Sequence, residues 1–519
     1  MKCDKINLSE TKYFSKLFLD YVNGEKELES FYHLTPNIQS FKNILDSRRF
    51  DNEKRNLLNR VLARQYQSID VSKEVNNNLE KLKNPKTFTI TTGHQLNILT
   101  GPLFFIFKII AVINTCKKLN DTYQDYNFVP VYWMASEDHD IEEIRSVTLF
   151  GKTYTWDTNQ KGAVGKMNPQ TLTWLLDQLP ERTPLFEKAY SQFNILSDSV
   201  RYYVNELFGS YGLLVLDADD KSLKQSLKEI ILDDLTNHHA NDLVEGTSSK
   251  LGRLGYNAQV YPRAINLFYM KDKIRGRLVR EQGTYQVLDE NLTFSKEEML
   301  NIADNSPELF SPNVILRPLY QELILPNLAY IGGPAEVAYW LQLRDVFDYY
   351  KISFPIIMPR NFALLIGRND YRKLNKLMIR GQDLFLDIQE LKRRFLEEHA
   401  AYSLTIDSEK KIMDEVFESI KNKTRAVDQS LEGFIESEKS KMLKNIENIE
   451  KRLTKAEENK QATSIQQIER LKENLFPGGS LQERVENFLT FYLNNPDFIS
   501  TLIDLFDPFD YRFNICYEE

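Results

Sequence analysis

The sequence has very little cysteine. Its 519 residues include only Cys3, Cys116 and Cys516, which lie far apart and form no paired metal-ligand spacing. This pattern predicts neither a disulfide framework nor a structural zinc site, and we expect no metal cofactor. Sparse, unpaired cysteine is also typical of proteins that work in a reducing cytoplasm.

Long apolar runs and a basic surplus are also lacking. The longest apolar stretch, Leu103 to Ile113, is interrupted by Lys108 and is too short to span a bilayer. No apolar signal region follows Met1, so we expect a soluble, cytoplasmic protein without a membrane partner. The net charge of -8 and pI near 5.6 argue against a nucleic-acid partner, which requires a basic face.

The chain is long enough for several domains, and its composition divides it into four parts. Residues 1–80 have helix-like spacing and predict an N-terminal helical segment. Residues 81–380 alternate strands and helices, which indicates an α/β core. Residues 381–475 are charged and poor in glycine and proline, and predict long helices. Residues 476–519 return to an apolar composition, and we expect them to pack back on the core.

The most informative stretch runs from Phe88 to Glu143. Residues 88–91 predict a strand, 102–119 a helix and 128–135 a second strand. Further strands are predicted at 213–216 and 354–359. Each of these strands ends in polar residues, and α/β proteins bind ligands at the carboxyl ends of parallel strands.

The loop after the first strand reads Thr91-Thr92-Gly93-His94-Gln95. It matches the short signature of nucleotidylyltransferases and class I aminoacyl-tRNA synthetases, in which the loop lies under nucleotide phosphates. Glycine permits close approach to an anion, and the helix that follows offers free N–H groups. An ordinary strand-to-helix turn, with His94 as a surface or capping group, remains an alternative.

The loop after the second strand is an acidic cluster formed by Glu137, Asp138, His139 and Asp140, with Glu142 and Glu143 close behind. Crowded carboxylates raise one another's pKa unless a cation or a substrate amine offsets the charge. This cluster is our candidate for acid–base chemistry. The alternative is a solvated helix start, because acidic residues in a first turn favour the helix dipole.

Two weaker patterns lie farther along the chain. Gly333 precedes a proline and Glu336 at a predicted helix entry, which leaves N–H groups free for an anion. A structural turn explains the same pattern. The basic turn at 275–277, Arg-Gly-Arg, either binds an anionic substrate or faces water.

The charged region predicts a coiled coil. Apolar residues step by four and three through Met442, Ile446, Ile449, Leu453 and Ala456, with a similar series from Phe417 to Phe434. An ordinary helical bundle packed on the core is the alternative. The polar residues 461–464 mark either a break between two helices or a polar patch in one long helix.

Several of these segments occur together, in the order of a bacterial family. The chain resembles the BshC family, the cysteine ligases of bacillithiol biosynthesis. The resemblance covers most of the chain, from about residue 88 to 487, and it depends on the following segments: Thr92-Gly93-His94-Gln95, Leu99-Thr100-Gly101-Pro102, Pro130-Val131-Tyr132-Trp133, Glu137-Asp138-His139-Asp140, Asn266-Leu267-Phe268-Tyr269, Arg317-Pro318, Gln321-Glu322, Gly333 to Trp340, Leu475 to Gly479 and Leu481 to Arg484.

The resemblance implies a Rossmann-like, nucleotidylyltransferase-like core with connecting insertions, and a long α-helical coiled coil through which two subunits form a homodimer. The implied enzyme is a ligase forming a carbon–nitrogen bond (EC 6 class), which adds L-cysteine to glucosaminyl-malate in the last step of bacillithiol biosynthesis. The family loop commonly reads Thr-Gly-Gln-Gln, whereas this chain has His94 at the first Gln. Anion binding survives that change better than proton transfer, because both side chains donate a hydrogen bond.

Amide formation in water needs an activated carboxylate, so we expect ATP (or ADP after turnover), or a pre-activated donor. The Walker lysine pattern is absent from the sequence, which leaves the nucleotide site open between the Thr91 loop and the seam of the core with the coiled coil. The expected catalytic residues are Glu137, Asp138, His139 and Asp140. The expected substrate- or phosphate-binding residues are Thr91, Thr92, Gly93, His94, Gln95, Asn266, Arg317, Gln321, Gly333 and Glu336.

Two other functions stay open from the sequence. A nucleotidylyltransferase acting on a phosphorylated metabolite shares the loop and the fold, but it releases pyrophosphate without forming an amide. A non-catalytic scaffold would use the coiled coil as its working surface.

Overall fold

The protein is described here by a computed structural model that covers residues 1–400 and 404–518. The chain divides into two compact units. The core unit comprises Lys5–Leu364 and Leu481–Asn514. The helical unit comprises Met1–Asp4, Leu365–Ser480 and Ile515–Glu519.

Fifteen strands occur in the part of the chain that the structure describes. They are β1 (Lys2–Ile6), β2 (Thr87–His94), β3 (Asn127–Met134), β4 (Ser146–Leu149), β5 (Lys152–Thr155), β6 (Leu214–Asp217), β7 (Leu267–Lys271), β8 (Ile274–Glu281), β9 (Thr284–Val287), β10 (Leu292–Phe294), β11 (Phe310–Pro312), β12 (Asn327–Gly332), β13 (Ile356–Pro359), β14 (Phe362–Ile366) and β15 (Phe513–Tyr517).

The same residues form twenty-three α-helices, four of which have five residues or fewer. They are α1 (Lys16–Asn23), α2 (Ile38–Ser47), α3 (Asn52–Gln65), α4 (Lys73–Lys81), α5 (Phe104–Thr122), α6 (Ile141–Ile144), α7 (Leu172–Leu176), α8 (Pro184–Gln192), α9 (Leu196–Phe208), α10 (Lys221–Lys224), α11 (Lys228–Thr236), α12 (His239–Arg253), α13 (Lys296–Asn305), α14 (Arg317–Ile324), α15 (Pro334–Leu341), α16 (Arg344–Tyr349), α17 (Arg368–Lys376), α18 (Ile388–His399), α19 (Asp407–Val427), α20 (Glu432–Lys460), α21 (Ala462–Leu475), α22 (Leu489–Tyr492) and α23 (Phe498–Leu505). None of these helices is both long and apolar enough to cross a bilayer.

A five-stranded parallel sheet organises the core unit. Its strand order is β13-β12-β2-β3-β6, and every pairing in it is parallel. The strands are nearly continuous apolar runs because helices cover both faces of such a sheet. Strand β2 pairs with β3 on one edge and with β12 on the other. The connections after β2 and β12 therefore run in opposite directions, and a crevice opens at the carboxyl ends of these two strands. The predicted strands and their polar ends are confirmed.

Helix α5 connects β2 to β3 and is buried along most of its length. A helix that is apolar on all sides belongs inside a protein, and α5 packs on the sheet through Ala111 and Val112. The predicted unit of strand, loop, helix and strand is therefore confirmed. Lys108, which interrupts the apolar run, is only 3% exposed, so this buried cation needs a partner.

A second five-stranded sheet lies between β6 and β12 in sequence. Its order is β10-β9-β8-β7-β11, and its pairings are antiparallel. Gly276 permits the close packing of β8 on the turn after β9, because an added side-chain carbon would lie 2.3 Å from Val287. The prediction of a basic turn at 275–277 is wrong, because these residues lie within strand β8, from which Arg275 reaches the crevice.

The helical unit contains an antiparallel hairpin of α19 and α20, which we call the hairpin. Ion pairs connect its two helices, among them Lys410 with Glu450 and Lys439 with Asp414. Neither helix has a buried residue. Gln461 separates α20 from α21, so the polar residues 461–464 mark a break between two helices. The predicted coiled-coil domain is confirmed.

The expectation that the cysteines form no disulfide is wrong for one pair. Cys3 and Cys516 are bonded within the helical unit, with their Cα atoms 4.1 Å apart. Strands β1 and β15 are neighbours in a three-stranded sheet of order β1-β15-β14, so the two cysteines meet although they are 513 positions apart in the sequence. Cys116 is free and buried, and burial raises the pKa of its thiol.

Candidate active site

A cavity of about 630 Å³ lies at the carboxyl ends of the central strands, entirely within the core unit. The loops after β2, β3 and β12 line it, together with Phe268 and Arg275 of the antiparallel sheet. Its volume suits a small-molecule site. We call it the cleft and describe its two oppositely charged walls in turn.

The acidic wall contains Glu137, Asp138, Asp140 and Glu143. Burial disfavours the charged form of Asp138, but the charge of Arg275 and hydrogen bonds from Gln95 and from the His139 backbone amide outweigh it and lower the pKa of this carboxyl. Arg275 Nη1 lies 3.2 Å from Asp138 Oδ1. Asp138 is therefore a fixed negative charge and a weak base.

Gln95 joins two carboxylates of the acidic wall. Its Nε2 donates to Asp138 Oδ2 and, over 3.2 Å, to Glu143 Oε2. Partial burial, together with the charges of Asp138 and Asp140, raises the pKa of Glu143. Environments that lower the pKa of one carboxyl group and raise the pKa of its neighbour are typical of acid–base pairs. Glu143 is the better proton acceptor of the two.

The other two acidic residues have structural partners. Glu137 is buried and forms an ion pair with Lys224, a fully buried lysine that also donates to the Phe310 carbonyl over 2.6 Å. Burial raises the pKa of Glu137, and the ammonium of Lys224 opposes that effect. Asp140 caps α6 by accepting a hydrogen bond from the Glu143 amide.

His139 belongs to the same wall and contacts Arg275. Because an arginine only donates, the 2.5 Å contact makes His139 Nδ1 an acceptor from Arg275 Nη1. The guanidinium of Arg275 also lies 3.9 Å from the ring centroid of Phe268. Arg275 is thereby fixed on three sides.

The cationic wall contains Lys108, Arg317, Arg360 and Arg484. Lys108 Nζ donates to the Gly93 carbonyl over 2.8 Å and lies 2.5 Å from Glu336 Oε2. Glu336 also accepts from the Gly333 amide and from the Tyr330 hydroxyl. Burial alone would raise the pKa of Glu336, but Lys108 and these donors lower it, so this carboxylate is ionised and fully occupied.

Among the residues that the structure describes, no carboxylate lies within 4 Å of the Arg317 guanidinium. Its guanidinium donates to Gln321 Oε1 over 3.0 Å and to the Tyr339 hydroxyl over 3.3 Å. The rings of Trp133 and Tyr330 lie beneath it. A partly buried arginine held only by neutral groups is suited to bind an anionic ligand.

His94 lies between the two walls and packs against Phe104 and Phe105, with ring centroids 5.2 Å away in both cases. Burial, with the charges of Lys108 and Arg360, lowers its pKa well below the ordinary value, so the imidazole is neutral. Its Nε2 atom is buried and has no hydrogen-bond partner in the described protein. A neutral ring with a free nitrogen can exchange a hydrogen bond with a ligand.

Four of the sequence-predicted site residues do not line the cleft. Thr91 and Thr92 turn into the sheet, where their hydroxyls donate to Asn327 and to the Ile331 carbonyl. Gln321 supports Arg317 from behind, and Asn266 supports Asn313, a cleft residue, through a 3.0 Å bond to its side chain. These four residues position the groups that do line the cleft.

The other predicted residues are brought together. Gly93, His94, Gln95, Glu137, Asp138, His139, Asp140, Arg317, Gly333 and Glu336 all line the cleft. Sequence reasoning missed Lys108, Glu143 as a site residue, Arg360 and Arg484. The signal for Lys108 was a single lysine in an otherwise apolar helix, and the signal for Arg360 was its place after a strand end.

No group of three or more His, Cys, Asp or Glu side chains in residues 1–400 and 404–518 is arranged to hold a metal ion. The catalytic and binding roles assigned from the sequence, including that of an ATP or ADP nucleotide, stay predictions.

Comparison with known proteins divides the chain near residue 362, and the second of the two matched domains includes residues 481–514 of the core unit. Residues 1–361 match the family described as "Bacillithiol biosynthesis BshC, N-terminal Rossmann-like domain", and residues 363–518 match its "C-terminal coiled-coil domain". Among solved structures, tryptophanyl-tRNA synthetase of Plasmodium falciparum covers 87% of this chain and 98% of its own, at 10% identity and a TM-score of 0.22, which is too low to support an argument.

Curated relatives match over nearly the whole chain. A protein of Flavobacterium psychrophilum is 40% identical and one of Flavobacterium johnsoniae is 39% identical, each over 99% of both chains. Both are named "Putative cysteine ligase BshC", which agrees with the predicted ligase class. The two domain matches and these relatives confirm the predicted resemblance: the chain belongs to the bacillithiol biosynthesis BshC family.

Proposed function

We propose that the cleft joins the carboxyl group of cysteine to the amino group of glucosaminyl-malate, forming the amide of bacillithiol. The observation that carries this proposal is the presence of an acidic wall and a cationic wall in one cavity. Glucosaminyl-malate has an amine at one end and two carboxylates at the other. A cleft with two oppositely charged walls matches such a substrate.

The amine of the sugar lies at the acidic wall in this proposal. Asp138 is held ionised by Arg275, so it attracts and orients the ammonium form. Attack on a carbonyl requires the neutral amine, and Glu143 accepts the proton because its raised pKa makes it the stronger base.

The malate carboxylates lie at the cationic wall. Arg317 is supported by neutral groups alone, so its charge is available to a ligand, and its planar fork suits a carboxylate. The buried Nε2 of His94 supplies a further hydrogen bond on the same side.

The cysteine carboxylate is activated before attack, as an adenylate or an acyl phosphate, at the expense of ATP. The neutral amine then attacks the activated carbonyl carbon, the carbon–oxygen bond to the leaving phosphate breaks, and the nitrogen releases its second proton to water. AMP or inorganic phosphate leaves with the electron pair of that bond. Holding both reactants in one cleft supplies the proximity that this step needs.

Mass spectrometry of the purified protein incubated with glucosaminyl-malate, cysteine and ATP tests the reaction. We expect bacillithiol from the wild type, a loss of about 100-fold or more from Asp138→Asn, and a smaller loss from His94→Ala. Glu142→Gln is the matched control, because Glu142 is exposed and lies outside the cleft. Pyrophosphate without an amide product would instead identify a nucleotidylyltransferase.

Arg317→Gln tests the place of the malate. We expect a rise of about tenfold or more in KM for glucosaminyl-malate, with a smaller change in kcat, because a ground-state contact is lost. An unchanged KM would remove Arg317 from the substrate site and leave the acidic wall unaffected.

We also propose that the hairpin forms a homodimer. Ile412, Val416, Ile420 and Val427 follow one another at helical spacing on α19, and each side chain is at least 39% exposed. Phe434 of α20 is 61% exposed. Apolar stripes of this size on helices without a buried residue favour a partner helix.

Sedimentation equilibrium of full-length protein tests the dimer. Ile420→Glu with Phe434→Glu should give a monomer at concentrations where the wild type is a dimer. Asn445→Glu, which adds a charge at an exposed polar position of the same hairpin, should leave the dimer intact. A wild type that is monomeric throughout would overturn the proposal.

A further inference from the structure

A second cavity, of about 560 Å³, adjoins the cleft and lies within the core unit. It opens between the antiparallel sheet and the loop that contains Gln160, Lys161 and Gly162. We call it the basic groove. His139, Phe268 and Arg275 line both the groove and the cleft, so the two cavities share one wall.

The charge of the groove is opposite to that of the protein. Its lining includes Lys161, Arg263, Lys273, Arg275 and Arg277, against the two carboxylates of Asp289 and Glu290. Five positive and two negative charges leave a net +3 in a chain whose net charge is -8. Positive charge concentrated in a concavity raises the local concentration of anions.

Most of these cations have no anionic partner. Within the described residues, Lys161, Arg263, Lys273 and Arg277 form no ion pair, although acidic side chains line the same groove. The Nε atom of Arg277 is buried and makes no hydrogen bond there. Cations without a carboxylate partner keep their charge available to an anionic ligand.

The groove is built rigidly from backbone contacts. Gly162 has φ +92, and an added side-chain carbon there would lie 2.8 Å from the backbone carbon of Lys273. The loop with Lys161 is therefore pressed directly onto the turn with Lys273. Gln160 anchors the same loop, since its side chain accepts from the Asn168 amide at 2.7 Å and donates to the Asn168 carbonyl at 3.0 Å. These contacts hold the backbone of the two lysines in place, while their side chains stay exposed to a ligand.

The strand geometry carries the groove to the cleft. Arg275 and Arg277 are two residues apart on β8 and point to the same face of the sheet. Arg277 belongs to the groove alone, whereas Arg275 also contacts Asp138 of the cleft. Only the side chain of Arg275 therefore separates a ligand in the groove from Asp138 of the acidic wall.

We propose that the basic groove binds the oligophosphate of the reagent that activates the cysteine carboxylate, which is an inference that rests on the proposed function. An oligophosphate carries several negative charges in a row, and it needs several lysine and arginine donors that are free of carboxylates. A single carboxylate does not need five cations. The shared wall then directs the reacting end of the phosphate chain toward Arg275 and the cleft.

Isothermal titration calorimetry of the full-length protein at low salt tests the groove without any turnover. Inorganic tripolyphosphate, ATP and AMP serve as probes. We expect tripolyphosphate and ATP to bind more tightly than AMP. Similar affinities for tripolyphosphate and ATP indicate that the phosphates supply the binding, and a much tighter ATP adds a contact to the nucleoside.

The double variant Lys161→Ala/Lys273→Ala should weaken tripolyphosphate binding by about tenfold. Lys271→Ala is the matched control, because Lys271 is exposed on β7 and does not line the groove. The single variant Arg277→Gln should weaken binding as well, with a melting curve confirming that each variant is folded. Tripolyphosphate that fails to bind the wild type, or binds the double variant equally well, would overturn the proposal.

The outcomes for the groove and for the ligase separate cleanly. Groove-dependent tripolyphosphate binding without any amide product would support phosphate binding in the groove and contradict the proposed ligase reaction. Amide formation by the double variant with an unchanged KM for ATP would keep the ligase and contradict the groove.

Discussion

Ion pairs stabilise both the core unit and the hairpin, but water reaches the two sets very differently. Arg360 and Glu483 in the core lie 2.6 Å apart with side chains 2% and 0% exposed. Lys439 and Asp414 in the hairpin are also 2.6 Å apart, yet their side chains are 16% and 51% exposed. Pairs at equal distances therefore differ in their effect on stability. An exposed pair contributes about 0–1 kcal/mol, whereas removing one partner of a buried pair costs about 3–5 kcal/mol.

The largest effect is expected from Glu483→Gln. This change leaves the buried guanidinium of Arg360 without its counter-charge and weakens the acceptor for the Ala363 amide. We expect a loss of about 3–5 kcal/mol in the stability of the core, measured as a fall in the urea midpoint. The hairpin variant Glu436→Gln is the matched control. A loss below about 1 kcal/mol would place the core pair in the same class as the exposed pairs.

A buried carboxyl group without a cationic partner extends the comparison with the ion-paired Glu483. Asp234 is fully buried and accepts two hydrogen bonds from Asn266, and burial raises its pKa from 3.8 to about 7. Since the folded state binds this proton more tightly than the unfolded chain, stability falls as the pH rises from 3.8 to about 7 and then levels off. The change is on the order of 4 kcal/mol, because each pKa unit corresponds to about 1.4 kcal/mol.

Urea midpoints measured across that pH range check this contribution. The Asp234→Asn variant cannot ionise and should flatten the slope, although it loses one acceptor for Asn266. A slope that is unchanged in the variant would assign the pH dependence to other groups.

A buried but neutral side chain shows how much of these losses comes from broken hydrogen bonds rather than from an unpaired charge. Asn487 donates to the Leu99 carbonyl over 2.7 Å and to the Gly101 carbonyl over 2.5 Å. It thereby holds a turn in which Leu99 and Thr100 have positive φ. Asn487→Ala should cost about 2–3 kcal/mol, since two buried acceptors lose their donor. Thermal unfolding against Asn494→Ala, an exposed neighbour, measures the difference; equal midpoints would contradict it.

The smallest effect is expected from Lys439→Ala in the hairpin. Lys439 contacts both Asp414 and Glu418, at 2.6 and 3.0 Å, but the acidic partners are half exposed. We expect a change below about 1 kcal/mol, which added salt should reduce further because it screens exposed charges. Helix content followed by circular dichroism at low and high salt tests this. A larger and salt-insensitive loss would show that the hairpin pairs are shielded from water.

The order of strands and helices around β2 was predictable from the sequence because local pattern decides it. Apolar runs ending in polar residues identified β2 and β3, and the acidic cluster followed directly from its composition. The heptad spacing of α20 predicted a helix in the same way. It did not reveal that none of the spaced residues is buried, because burial depends on a partner surface that the pattern does not contain.

The parts of the site that escaped prediction come from pairings over long sequence distances. Lys224 reaches Glu137 across 87 residues, and Arg360 reaches Glu483 across 123. Neither pairing leaves a local signal. Lys108 did leave one, since a lone lysine in an apolar helix requires a buried carboxylate, but nothing nearby in the sequence identified Glu336 as that partner.

The bond between Cys3 and Cys516 turns almost the whole polypeptide into a covalent ring. One cut by a protease anywhere between these residues opens the ring without releasing a fragment. The nicked protein keeps its mass on a non-reducing gel and separates into two pieces only after a reductant is added. Unfolded and oxidised, the chain is a circle with two short tails, and its smaller hydrodynamic size distinguishes it from the reduced, linear form.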